Sequence, residues 1–211
     1  MEPLGKELVK IIYMNIDEIL KDVPDKGNEN KDTTSLVWKR DVLEFFADKK
    51  FSKCLEIGTW IGHTTKILSN VFDEVWSIEF NPKRWERAKE TCYGVNNVNL
   101  ILGDAYSDKT YQGFPNMFDV VVIDCDHSYD GVIKDINRAM SFIGNKMYLV
   151  FDDYGHSESV GVNQAVKYAL NSGLKLEKYI GKPPGTVITR ENNTSFTLVD
   201  WEGVIASYEI K

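Results

Sequence analysis

Acidic residues recur in this chain at the ends of short apolar runs, at positions where they could do chemistry together. Five runs, at 53–57, 74–79, 98–102, 118–124 and 147–152, deliver Glu56, Glu79, Asp104, Asp124 and the pair Asp152-Asp153. One or two acids would be ordinary polar strand ends; five in succession imply a shared site. Glu79 follows Gly58 by 21 residues, where an acid accepts hydrogen bonds from both hydroxyls of a ribose. Asp124, Asp152 and Asp153 have no lysine or arginine in their own motifs, so together they would repel and shift one another's ionisation. A hard divalent cation with oxygen ligands, Mg²⁺ or Mn²⁺, removes that conflict. The plainer alternative is that Asp152 and Asp153 cap the following loop and helix while Asp124 touches a cofactor.

The elements that would position these residues are legible. Helix-like segments at about 62–70, 82–93, 128–142 and 160–171 separate the apolar runs. Such alternation predicts an α/β fold: a Rossmann-like, doubly wound, mostly parallel seven-stranded sheet with helices on both faces. KLEKYI (175–180), GTVIT (185–189) and SFTLV (195–199) read as strands that finish the sheet in antiparallel fashion. Ahead of the sheet, residues 4–22 have helical spacing, 24–34 form an exposed loop, and 35–49 form a helix with Ser35 as N-cap. The expected organisation is therefore an N-terminal helical extension over 1–50, acting as a lid or dimer contact, and a catalytic domain over 51–211.

In a sheet of this kind ligands bind beyond the C-terminal strand ends, where strand order reverses. The first turn there is Glu56-Ile57-Gly58-Thr59-Trp60-Ile61-Gly62. Its glycines permit close backbone approach to a ligand, although the spacing is G-x-x-x-G and lacks the first pair of the dinucleotide fingerprint. With Glu79, the turn favours a cofactor that contains adenosine.

LEIGTWIGHTTKIL, SIEFNP, LGDA and FDVVVIDCDHSYDGVIKDI, in this order and spacing, resemble the class I S-adenosylmethionine-dependent methyltransferases over roughly residues 50–170. Within that superfamily they are similar to the small-molecule O-methyltransferases, including catechol O-methyltransferase and the sugar O-methyltransferases of macrolide and aminocoumarin pathways. The resemblance implies that Glu56, Gly58 and Gly62, with Thr59 and Trp60 in the same turn, line the methionine end of S-adenosylmethionine. Glu79 would bind the ribose, Asp104 and Ala105 the adenine, and Asp124 would contact the cofactor as well. It also implies a catalytic metal at Asp124, Asp152 and Asp153. Two residues are candidate bases for the acceptor hydroxyl: Asp126, where sugar-modifying relatives carry an aspartate, and His127, where catechol-type relatives carry a lysine. Histidine suits general-base work near neutral pH; Asp126 is preferred and both are kept. His63 reads as a capping or packing residue, and His156, after the Asp152-Asp153 pair, is a minor candidate for the acceptor side. Trp60, Tyr106, Tyr129 and Tyr154 are candidates for a wall against which the acceptor stacks.

Composition narrows the function further. A net charge of −7 gives no electrostatic footprint for a nucleic-acid backbone. No apolar run is long enough to span a bilayer. Three cysteines, an odd number mostly inside apolar runs, point to a reducing, cytoplasmic compartment. The expected activity is metal-dependent O-methylation of a sugar or glycan hydroxyl on a small-molecule acceptor. The alternatives are the same chemistry on a catechol, a dehydrogenase-type nucleotide-binding domain, or a non-catalytic cofactor-binding module.

Overall fold

The computed structural model describes residues 15–25, 33–189 and 193–210. Two helices, α1 (Ile16–Leu20) and α2 (Leu36–Phe46), precede β1 (Lys53–Ile57), α3 (His63–Leu68), β2 (Glu74–Glu79), α4 (Pro82–Thr91) and β3 (Val98–Leu102). Then come β4 (Val120–Ile123), α5 (Tyr129–Met140), β5 (Lys146–Phe151) and α6 (Val160–Asn171). The chain closes with β6 (Lys175–Ile180), β7 (Val187–Thr189), β8 (Ser195–Thr197) and β9 (Gly203–Glu209). Seven strands form the main sheet in the order β3-β2-β1-β4-β5-β9-β6. The first five are parallel, and β9 runs antiparallel to both of its neighbours. This is the doubly wound, Rossmann-like architecture anticipated from the alternation.

The C-terminal strands differ from expectation. β7 and β8 pair with each other as a separate two-stranded sheet, and the place in the main sheet belongs to β9. β9 lies beyond the strands expected from the sequence, and its first five residues, Gly203 to Ser207, are all buried. A strand inserted between two others and covered on both faces shows no polar–apolar alternation.

The sheet buries a core on each face. Leu55, Ile57, Val121, Ile123, Leu149 and Phe151 pack under α5 and α6 through residues such as Val132, Ile136, Val162 and Val166. Cys54, Val75, Val120, Val122 and Val150 pack on the other face against α2 and α3 through Trp38, Val42, Leu43, Phe46, Ile67 and Leu68. The buried residues of α2 are spaced for one helical face, which is why that helix joins the core.

Polar contacts then fix where α2 starts. Ser35 caps it by accepting from Trp38 N, and both Ser35 N (2.9 Å) and Oγ (2.5 Å) donate to the fully buried Glu202 carboxylate. The buried Lys39 ammonium donates to the Thr34 carbonyl, to the Pro24 carbonyl and to Thr33 Oγ1. Thr34, expected in an exposed loop, is consequently buried. Most of the helix expected over 4–22 and of the loop over 24–34 lies outside the described residues, and so does most of the segment, 1–34, expected to act as a lid or dimer contact.

Candidate active site

Strand order reverses between β1 and β4, so the loops leaving these strands part and open a crevice. A cavity of about 900 Å³ lies there, near the upper end of the range of about 300–1,000 Å³ for small-molecule sites. The loops after β1, β2 and β3 form one half of its wall. The loops after β4 and β5 form the other, with Ile188 of β7 and Phe196 of β8 also in the lining.

The first half is built on Gly58 and Glu79. Register places Ile57 beside Ile78, and the N–H groups of Gly58 and Thr59 both donate to the Ile78 carbonyl. Gly58 has φ of +101°, and a Cβ there would sit 2.0 Å from the Asp124 carbonyl oxygen. Only glycine fits, and it leaves bare backbone against the cavity. Glu79 is 6% exposed; its Oε2 accepts from Trp60 N and its Oε1 from Asn81 N, both at 2.8 Å. Trp60 takes φ of +54°, the turn that aims its N–H at Glu79. The Arg84 guanidinium stacks over the Trp60 ring at 3.5 Å. Asp104 and Ala105 line the far end of this half, with Asp104 Oδ1 accepting from Tyr106 N.

Glu56, Thr59 and Gly62 belong to the same turn but are not among the cavity-lining residues. The Glu56 carboxylate is buried and accepts from Thr65 Oγ1 and Ser77 Oγ, each at 2.5 Å, and Thr59 Oγ1 meets Ser77 Oγ at 2.6 Å. Burial pushes the Glu56 carboxyl up to about 8 despite the two hydroxyl donors. Gly62, at φ of +84°, is the N-cap of α3 and lets that helix approach Ala88 of α4. These residues brace the turn from behind.

Asp124, Asp152 and Asp153 form the second half's floor. β4 pairs in parallel with β5, Ile123 opposite Phe151, so Asp124 and Asp152 leave adjacent strands at the same level. Consecutive strand residues point to opposite faces, yet Asp152 and Asp153 both line the cavity. Asp153 achieves this with φ of +56°, a left-handed turn that aspartate tolerates better than most residues.

His127 sits between the two strand ends. Its Nε2 lies 3.6 Å from Asp124 Oδ1 and its Nδ1 3.4 Å from Asp153 Oδ2. The Asp124 carboxylate holds the imidazole up at about 9 against the opposing effect of burial, with Asp153 adding to the rise. Asp124, His127 and Asp153 each present a ligand atom within 4.8 Å of the others. The sequence pointed to three aspartates in want of a cation; the structure brings a histidine into the cluster and sets Asp152 beside it.

Asp126 points elsewhere. It is not among the cavity-lining residues; its Oδ1 accepts from Ser128 N at 2.8 Å, and it packs against Gly131 at the start of α5. The Ser128 backbone hydrogen bond holds its carboxyl below the usual range. Ser128 itself caps α5 by accepting from Gly131 N.

Of the candidate aromatic wall, Trp60 and Tyr106 line the cavity, whereas Tyr154 is buried in the core. Sequence reasoning missed Thr33, Phe80, Arg84, Glu158, Ile188 and Phe196, all of which line it. His156 also lines the cavity, stacked on Phe196 with ring centroids 3.6 Å apart.

Comparison with known proteins bears on the domain type and the fold. Residues 55–154 match the family model described as a methyltransferase domain. A fibrillarin-like rRNA/tRNA 2'-O-methyltransferase from Methanococcus voltae is 31% identical over 110 residues, covering 51% of this chain and 45% of that protein. The chain spans less than half the length of the curated relatives it matches. Among solved structures, an O-methyltransferase from Bacillus cereus in complex with S-adenosylhomocysteine aligns with TM-score 0.61 and 14% identity, over 92% of this chain and 90% of that one. The N-methyltransferase NodS from Bradyrhizobium japonicum with the same ligand aligns with TM-score 0.58 and 14% identity, over 81% and 84%. Likenesses at this identity establish the fold. The acceptor atom has to be argued from the site.

Proposed function

We propose that this methyltransferase domain moves a methyl group from S-adenosylmethionine to a hydroxyl oxygen, assisted by a divalent cation, with a sugar or glycan as acceptor. One observation carries the reading: a cofactor half with Glu79 at a glycine turn and a cluster of Asp124, His127 and Asp153 share a single cavity.

The residues fit both groups. The absence of a Cβ at Gly58 lets its turn pack against the Asp124 backbone and line the cavity, and Glu79 is oriented by two backbone N–H groups to accept from a ribose. The carboxylates of Asp124, Asp153 and the adjacent Asp152 are hard donors suited to Mg²⁺ or Mn²⁺. Bound S-adenosylmethionine supplies a methyl group on a sulfonium, and a bound cation supplies Lewis acidity that makes an acceptor hydroxyl easier to deprotonate.

The chain's own residues do the rest. Glu79 and the Gly58 turn orient the donor, so that positioning supplies much of the rate. Asp124 and Asp153 hold the cation and flank His127. His127 is the base that the geometry favours over Asp126, because it lines the cavity and Asp126 does not. It would take the acceptor's proton only as a neutral imidazole, with Asp124 (3.6 Å from Nε2) and Asp153 (3.4 Å from Nδ1) orienting the ring. As an imidazolium it also supplies the positive charge that the aspartates otherwise lack, so a cation and the His127 proton compete for the same two carboxylates.

The sugar acceptor is supported by Asp124-Cys125-Asp126-His127-Ser128-Tyr129, which resembles the sugar-modifying relatives. A catechol acceptor has one observation of its own, the flat Phe196–His156 face. Calorimetric titration with S-adenosylhomocysteine and with NAD, each with and without Mg²⁺, tests the reading. Binding of the first and not the second is expected; the reverse preference would make the domain a nucleotide-binding module of the dehydrogenase type.

A further inference from the structure

The β7–β8 hairpin has no part in the cofactor half, yet it reaches the cavity. A two-stranded hairpin is marginally stable on its own, and this one buries a small core of Ile188, Phe196 and Leu198 while Val187, Thr189, Ser195 and Thr197 stay exposed. Its base is tied to the loop that carries the acids. Val199 N donates to the Gly155 carbonyl, His156 and Leu198 form an isolated β-bridge, and His156 N donates to the Asp153 carbonyl. The Phe196 ring lies on the His156 imidazole at 29° between planes. His156 is itself fixed, its Nδ1 accepting from Glu158 N at 3.2 Å.

The acceptor half therefore has two chemically opposite surfaces. Asp124, His127 and Asp153 form an oxygen-binding floor, and Ile188 and Phe196 present hydrocarbon. A hexose carrying hydroxyls all round would leave some of them facing groups that cannot hydrogen-bond. A ring with vicinal oxygens on one edge and an apolar flank would satisfy both surfaces.

We propose that the β7–β8 hairpin is the acceptor-selecting wall of this site, and that Phe196 and Ile188 recognise an acceptor whose oxygen-bearing edge is joined to an apolar flank. The proposal rests on the methyltransferase reading above. The shared chemistry has two sources, an arene diol or a sugar with an apolar aglycone, and the test separates them.

The full chain, loaded with S-adenosylhomocysteine and Mg²⁺, is titrated with 4-nitrocatechol and, separately, with a panel of 4-nitrophenyl glycosides and their methyl glycoside counterparts. Affinity for 4-nitrocatechol identifies the arene source; preference for nitrophenyl over methyl glycosides identifies the sugar source. Phe196→Ala should weaken the bound class by about tenfold or more, the scale of losing one aromatic contact, while affinity for S-adenosylhomocysteine stays within about twofold of the parent. Retained S-adenosylhomocysteine binding also shows that the variant is folded. Where Phe196→Ala loses it, Phe196→Leu, which keeps the small core filled, and Ile188→Ala carry the same expectation. Unchanged affinity for the bound ligand in these variants, or parent protein that takes the cofactor product but neither binds 4-nitrocatechol nor prefers nitrophenyl over methyl glycosides, would each overturn the proposal. Parent protein that fails to bind S-adenosylhomocysteine would instead overturn the methyltransferase reading beneath it.

Discussion

Replacing Glu79 tests the cofactor half at its most specific point. Both carboxylate oxygens already accept a backbone N–H at 2.8 Å, from Trp60 and Asn81, so the group is held in one orientation with a lone pair on each oxygen left for a ribose hydroxyl. Glu79→Ala removes those acceptors, but the vacated space admits water, which places the loss at about 1–3 kcal/mol. That corresponds to about 5- to 150-fold in Kd for S-adenosylhomocysteine. Glu79→Gln sharpens the argument. It keeps the volume, yet its amide offers one acceptor oxygen and turns an NH₂ toward either Trp60 N or Asn81 N, a donor facing a donor. It should bind S-adenosylhomocysteine no better than the alanine variant. Isothermal titration measures the affinities, and thermal melting checks that the variants are folded. A glutamine variant with parental affinity would refute the claim that the paired acceptors hold the ribose.

Three further predictions concern the rest of the site. EDTA should abolish methyl transfer and Mg²⁺ or Mn²⁺ restore it, and Asp153→Asn should lose that restoration while keeping S-adenosylhomocysteine affinity, as read by calorimetry. His127→Asn should lower turnover by about 10²–10⁴-fold, the usual contribution of a general base, whereas Asp126→Asn should mainly lower the melting temperature, since Asp126 caps Ser128 N; the opposite ranking in a steady-state assay would return the base to Asp126. Glu56 carries a proton in the folded protein up to about pH 8 but in the unfolded chain only up to about 4.5, so its contribution to stability is complete below 4.5 and is lost as pH rises to 8. The parent should therefore lose stability over that interval, by a few kcal/mol at most, and denaturant titrations of Glu56→Gln should show a flatter profile.

How far the site could be read in the sequence depended on whether its parts were local. The strand-end acids were legible because each ends an apolar run, and parallel pairing of β4 and β5 at common register brings Asp124 and Asp152 together as expected. Glu79 was legible because a glycine turn and a second strand end lie at a fixed spacing. Asp126 and His127 are neighbours in sequence, but an Asx-type contact to Ser128 turns the first away and leaves the second on the cavity. Spacing does not resolve such a local rotation. Phe196 meets the cavity wall through a long-range contact, the stack on His156, and Thr33 is held near it by the Lys39 ammonium. β9 was missed because 185–189 and 195–199 read as the strands that finish the sheet, whereas β7 and β8 within them pair with each other. Glu56 was visible as an acid at a cofactor turn, but its role as a brace depends on Thr65 and Ser77, which sit on a different helix and strand.

The central claim is that the methyl donor and a divalent cation occupy the same cavity, and paramagnetic relaxation tests it without knowing the acceptor. S-adenosylmethionine carrying a ¹³C-labelled methyl group is bound to the protein, and its methyl resonance is followed as Mn²⁺ is added. The account predicts strong broadening in the parent, relief when Mg²⁺ competes, and little broadening in Asp153→Asn. Bound donor whose methyl signal is unaffected by Mn²⁺ would contradict it.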